Sequence, residues 1–188
     1  MTNSSRWSTR LSTTTRVALA LGTIGVAYRL ALIVSGVPQT NSDEATMGLI
    51  GWHMAQGITF PAFIYGQNYM GTVEALLAAP LFALGGPTVL LLRLPMVLAY
   101  AVLLFAVYQL TKRLYTPWFA VFVVGLLAFG SDRVIKDQLI SNGYAWSVPL
   151  GALLLLGAVV LGQRQTRWRL LGFAGRASPP ALHCGRIG

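Results

Sequence analysis

Apolar and polar positions along the chain fall into long apolar runs separated by short polar junctions. Three runs, Val17 to Val37, Val89 to Leu110 and Tyr144 to Gly162, reach the length of about 20 mostly apolar residues that a helix needs to cross a bilayer. In hydrocarbon a helix satisfies its own backbone, so runs of this length predict membrane helices. A fourth run, Pro117 to Gly130, is shorter, and is expected to span by tilting and by borrowing Tyr115, Thr116, Ser131 and the interfacial aromatic Trp118 at its ends. A fifth, "GTVEALLAAPLFALGG", starts close to Glu74 and is interrupted by Pro80. It predicts a helix lying at or dipping into the interface.

The expected fold class is therefore all-α, a multi-pass membrane helical bundle with about four transmembrane helices. Short juxtamembrane helices are expected in the stretch between the first two. Residues 1–16 read as a cytoplasmic tail, 17–162 as the membrane domain with a long first outer loop at 38–88, and 163–188 as a cytoplasmic tail, disordered or aberrant. The first apolar run is longer than the core of a secretory signal, so an uncleaved first span is expected.

Composition agrees with this pattern. Hydrophobic residues make up 55% of the chain and charged residues 10%, against roughly 25% charged in a soluble domain. The formal charge of +9 does not point to nucleic acid, because the basic residues flank apolar runs instead of clustering on a polar face. They read as topology signals. With four spans, Arg6, Arg10, Arg16, Lys112, Arg113, Arg164, Arg167 and Arg169 fall on the cytoplasmic side, and Arg133 and Lys136 lie in an outer loop, with Arg93 near the outer end of the second span. A fully crossing Glu74 helix would reverse the later loops and put Lys112 and Arg113 outside. The five acids of the chain, Asp43, Glu44, Glu74, Asp132 and Asp137, all fall in the two outer loops. The expected setting is a bacterial-type inner membrane with a cytoplasmic N-terminus. Cys184 is the one cysteine, which excludes a disulfide framework or a cysteine metal site within one chain.

The first outer loop is too long for a simple connection. "NSDEATMGLIGWHMAQG" opens with a capping pattern: Asn41 bonds the backbone of the third helical residue, Glu44 reaches back, and Gly57 suits the stop. Asp43 lies a few residues past the first span, close to the level of lipid phosphates. Next, "FPAFIYGQNYMGTVEA" sets aromatic residues, among them Tyr65 and Tyr69, beside Gln67, Asn68 and Glu74. Such a set serves either as an interfacial aromatic belt or as a surface that stacks on sugars and binds hydroxyls.

The order of basic tail, first span, "SDEA", "FPAFIYGQNYMGTVEALLAAPLFALGGP" and "LLRLPMVLAYAVLLFAVYQLTKRLY" resembles the GT-C superfamily of membrane glycosyltransferases, over roughly residues 15 to 162. It looks closest to the bacterial relatives of protein O-mannosyltransferases and to aminoarabinose transferases. The resemblance implies transfer of a sugar from a polyprenyl-phosphate donor to an acceptor hydroxyl at the outer face. It maps the first-loop catalytic acid onto Asp43, with Glu44 beside it, and a second-loop acid onto Asp132, with Asp137 as a rival. Phosphate leaves as a stabilised anion, so one carboxylate to take the acceptor proton and cations near the phosphate suffice. Asp43 is the candidate base, and Arg93, Arg133 and Lys136 are candidate phosphate partners.

Arg29, inside the first span, is an intramembrane ionisable group and by default a site hypothesis. The candidate cofactor is a divalent cation bridging Asp43, Glu44 and Glu74, whose spacing matches no metal motif. The acceptor is unknown, and membrane lipid is the other expected partner. Whole enzymes of the family are longer and the end "GFAGRASPPALHCGRIG" loses apolar periodicity, so an N-terminal fragment with little or no transfer of its own is expected. The competing expectation is a non-enzymatic small membrane transporter subunit or assembly partner.

Overall fold

The structure is a computed structural model that describes residues 11–176, with side chains through residue 165. Arg6, Arg10 and Cys184, and the side chains of Arg167 and Arg169, lie outside the described residues. Seven helices follow one another among these residues: α1 (Thr13–Val34), α2 (Ser42–Ala55), α3 (Val73–Gly85), α4 (Val89–Leu114), α5 (Pro117–Ala128), α6 (Asp132–Leu139) and α7 (Ser147–Arg176). There is no strand among the described residues, only an isolated bridge between Phe63 and Gly71.

α1, α4 and the Ser147–Gln165 part of α7 are long and apolar enough to cross a membrane. α4 is the central element. It packs against α1, α3, α5 and α7, and its stripe of Leu92, Met96, Tyr100, Leu103 and Leu104 is buried. Among the described elements α7 rests on α4 alone and leaves Leu154 76% exposed and Leu155 61%. In water that surface would be untenable; against lipid it needs no cover. The helix also runs on to Arg176, past the end expected at 162, because "QRQTRWRLLGFA" contains no early breaker.

The expected fourth span proves to be a bent pair. α5 has 12 residues, a rise of about 18 Å, short of the roughly 30 Å hydrocarbon core. α6 follows at 79° to it, and the two together have the length and composition of one broken span or of a re-entrant loop. The bend exposes the last carbonyls of α5, and Arg29 of α1 takes them up. Its Nη1 donates to Gly25 O (3.2 Å) and Ala128 O (3.4 Å), and its Nη2 to Leu127 O (3.4 Å) and Gln138 Oε1 (2.7 Å). Nε donates to Gln138 Oε1 as well, at 3.2 Å, and the guanidinium lies 3.5 Å from the centroid of the Tyr100 ring. All of its donors are thereby used, by neutral acceptors at the negative end of a helix dipole. Gly25 lets α1 come this close to α5: a Cβ there would meet the Tyr100 hydroxyl at 2.6 Å.

α2 and α3 form a helical hairpin against the start of α4. Ala75, Ala78, Ala79 and Phe82 of α3 face Met47, Ile50 and Met54 of α2, and Gly51 sits against the Phe82 ring. Ile64 and Met70 of the connecting loop plug the same core.

The acids gather at one end of the bundle, and the other end carries only basic charges among the described residues. At the basic end Thr15 Oγ1 bonds the Tyr108 hydroxyl at 3.0 Å and Arg113 donates to Gln163 at 3.5 Å, which gathers Arg16, Lys112, Arg113 and Arg164. At the other end lie α2, α3, α6 and the loop before α7, which carry the five acids.

Candidate functional site

Glu44 and Asp43 are adjacent on α2 but face different surroundings. The buried residues of α2 are Glu44, Met47, Ile50, Gly51 and Met54, a helical stripe in which Glu44 takes the first place. Its carboxylate is fully buried, whereas Asp43, one residue earlier, is swung by about 100° to a partly exposed edge. Asn41 holds the start of α2 in place, its side chain accepting from Glu44 N at 2.8 Å. Gly57 ends the helix at φ +70°. The other half of the expected cap is absent, since the Glu44 side chain turns inward and does not reach back to Asn41.

It turns to Arg93 of α4. Nε and Nη2 of Arg93 donate to Oε1 and Oε2 of Glu44, each at 2.7 Å. Arg93 is itself 1% exposed, so the guanidinium neither reaches headgroups nor faces an external phosphate; its charge is spent on Glu44. In a buried site the large cost of desolvating both charges is met only by such two-point geometry.

Glu74 of α3 comes to the same place. Its carboxylate is 1% exposed and accepts from the Ser141 hydroxyl, from Gly143 N (3.0 Å) and from Ala145 N (2.9 Å). Ser141 N also points at Glu44 Oε1, at 3.5 Å. The α6–α7 loop is therefore pinned to the two buried acids of the first loop, Glu44 and Glu74. Gly143 is required in this arrangement: its φ is +78°, and a Cβ would lie 3.0 Å from Gly71 O. Nothing in "SNGYA" announces this role beyond its turn composition, so Ser141, Gly143 and Ala145 escape a sequence reading.

The far side of the same loop lines a cavity of about 350 Å³. Its floor is Met96, Tyr100 and Leu103 of α4, and its polar wall is Asp137, Gln138 and Asn142. Of the two second-loop acids, Asp137 is thus the one at the cavity. Asp132 is 80% exposed and pairs along α6 with Lys136 at 2.6 Å, a contact worth about 0.3–0.5 kcal/mol at most. Arg133 is exposed and has no hydrogen-bond or ion-pair partner among the described residues.

In the aromatic loop, the Tyr65 hydroxyl bonds His53 Nδ1 at 2.9 Å. Asn68 and Tyr69 are exposed, while Gln67 buries its Oε1 without a partner. Among the described residues no three His, Cys, Asp or Glu side chains come together as a metal site would need; Glu44 and Glu74 are engaged elsewhere. Asp43 is left as the one first-loop carboxylate without a hydrogen-bond or ion-pair partner among the described residues, held at a rigid helix start.

Comparison of the chain with protein-family models, with curated proteins and with solved structures finds no match.

Proposed function

We propose that the chain belongs to a membrane glycosyltransferase that moves a sugar from a polyprenyl-phosphate donor to an acceptor hydroxyl, inverting the anomeric centre, with Asp43 as base. The observation that supports this reading is the division of labour within the acidic pair. Glu44 is locked to Arg93 and fixes the start of α2, so Asp43 stands free and rigid at the end of the bundle where the acids gather. A base must be held within hydrogen-bond reach of the proton it takes and keep a lone pair to accept it. Arg133, exposed and unpartnered among the described residues, and Lys136, whose exposed pair with Asp132 is weak, are the cations on α6 at that end that meet the donor phosphate once Arg93 is withdrawn. In the proposed orientation this end faces the outer side of a bacterial-type cell membrane.

Binding is separable from turnover and is the better test. With the chain reconstituted in vesicles, a photoreactive polyprenyl-phosphate sugar is expected to label it saturably, in competition with unlabelled polyprenyl phosphate. Arg133→Ala combined with Lys136→Ala is expected to weaken this labelling several-fold. Labelling that neither saturates nor responds to the double substitution would sink the proposal.

A second reading, a non-enzymatic subunit that assembles with another membrane protein, draws on one observation: among the described elements α7 packs on α4 alone. Its transporter version requires Arg29 to face a pore, and all five Arg29 donors are occupied inside the bundle.

A further inference from the structure

From Met54 to Leu92 the sequence contains one charged side chain, Glu74, and that one is buried. A connection of this length facing water would carry charge at about one residue in four. Here the outward surface is apolar and aromatic: Phe60 is 65% exposed, Tyr69 68% and Leu84 89%, with Ile58, Phe63 and Leu76 each about half exposed or more.

These side chains are displayed on a firm support. Ile64 and Met70 are buried beneath them, Ile64 N donates to Met70 O at 2.9 Å, and the Thr72 hydroxyl donates to Pro61 O. α3 leads within a few residues into α4, where Val89, Leu90 and Leu98 are exposed too, and α4 is one of the helices fit to cross a membrane. A concentration of exposed apolar side chains of this kind marks an interaction site. Its direct connection to such a span, and its lack of a charged rim, single out lipid as the occupant over a protein partner.

We infer that α3 and the loop before it form a membrane-inserted face, covered by lipid. The 13 residues of α3 rise about 20 Å, against a hydrocarbon core of roughly 30 Å, so the element enters the bilayer and returns without crossing. Tyr65 and Tyr69, with a polar end on an apolar ring, mark the headgroup level, and Leu84 lies deeper. The buried Glu44–Arg93 pair and Glu74 then sit between this inserted hairpin and α4, shielded from water by lipid on one side and by the bundle on the other. The inference is independent of whether the chain transfers sugar.

The test is spin labelling of the full chain carrying Cys184→Ser, reconstituted in phosphatidylcholine–phosphatidylglycerol vesicles. Labels are placed singly through Phe60→Cys and Leu84→Cys, with Ser12→Cys as the aqueous reference and Leu154→Cys on α7 as the lipid reference. The ratio of oxygen to water-soluble nickel-chelate accessibility is expected to be several-fold higher at positions 60 and 84 than at 12, with 84 approaching 154. Nickel accessibility equal to that at position 12 would mean that the face is in water. Protection from both reagents would mean that protein covers it. Either result overturns the inference, and two positions on separate elements keep it decidable if one labelled variant fails to fold.

Discussion

Replacing Arg93 with methionine is expected to destabilise the helical bundle by about 3–5 kcal/mol, read as a shift in its unfolding by a denaturing detergent. The loss comes less from the attraction removed than from the charge left behind. Glu44 is fully buried, its two oxygens take both guanidinium bonds, and only the long Ser141 N contact remains to it. The double variant Glu44→Leu with Arg93→Met removes both charges and is expected to recover most of the stability, since an apolar pair of similar volume often does as well as a buried ion pair. A double variant as unstable as Arg93→Met alone would mean that the pair's geometry, and not its mutual neutralisation, holds α2 to α4.

Truncation of Glu74 to alanine is expected to cost about 2–4 kcal/mol and to free the α6–α7 loop. Two backbone donors, Gly143 N and Ala145 N, lose their acceptor, at about 1–3 kcal/mol for each buried group left unpaired; their partial exposure keeps the total toward the lower part of that range. The Ser141 hydroxyl loses its partner as well. Limited proteolysis checks the structural half of the prediction: new cleavage within residues 140–146 is expected in Glu74→Ala, and much less in Glu74→Gln, which keeps one carbonyl acceptor. An unchanged cleavage pattern in Glu74→Ala would show that the loop is held by other contacts.

Much of the helical layout was legible in the chain. α1 and α4 lie where the apolar runs put them, α2 starts at the Asn41 cap and stops at Gly57, and the Glu74 helix is short and packed beside the bundle. Even the inward turn of Glu44 was available, since Glu44, Met47, Ile50 and Met54 share one helical stripe. What could not be read were the partners. Arg93 is 49 residues from Glu44 and Gln138 is 109 from Arg29, and a periodic pattern tells which side of a helix is buried without telling what meets it. For the same reason Arg93 reads from sequence as a cation at the membrane surface, while the fold makes it an internal counter-ion. The bend in the fourth apolar run was not legible because a helix break and its direction depend on what accepts the freed carbonyls. Arg29 does this from another helix.

Within the site, the unequal roles of Asp43 and Glu44 matter most, and they can be observed directly without any activity. Folded protein in vesicles is treated briefly with a water-soluble carbodiimide and an amine, and each carboxylate is read by mass spectrometry before and after unfolding. Expected is rapid modification of Asp43 and Asp132, with Glu44 and Glu74 protected until the protein unfolds. Modification of Glu44 in the folded protein at a rate comparable to Asp43 would contradict the account, because the ion pair to Arg93 would then be open and Asp43 no longer the singular free acid of the first loop.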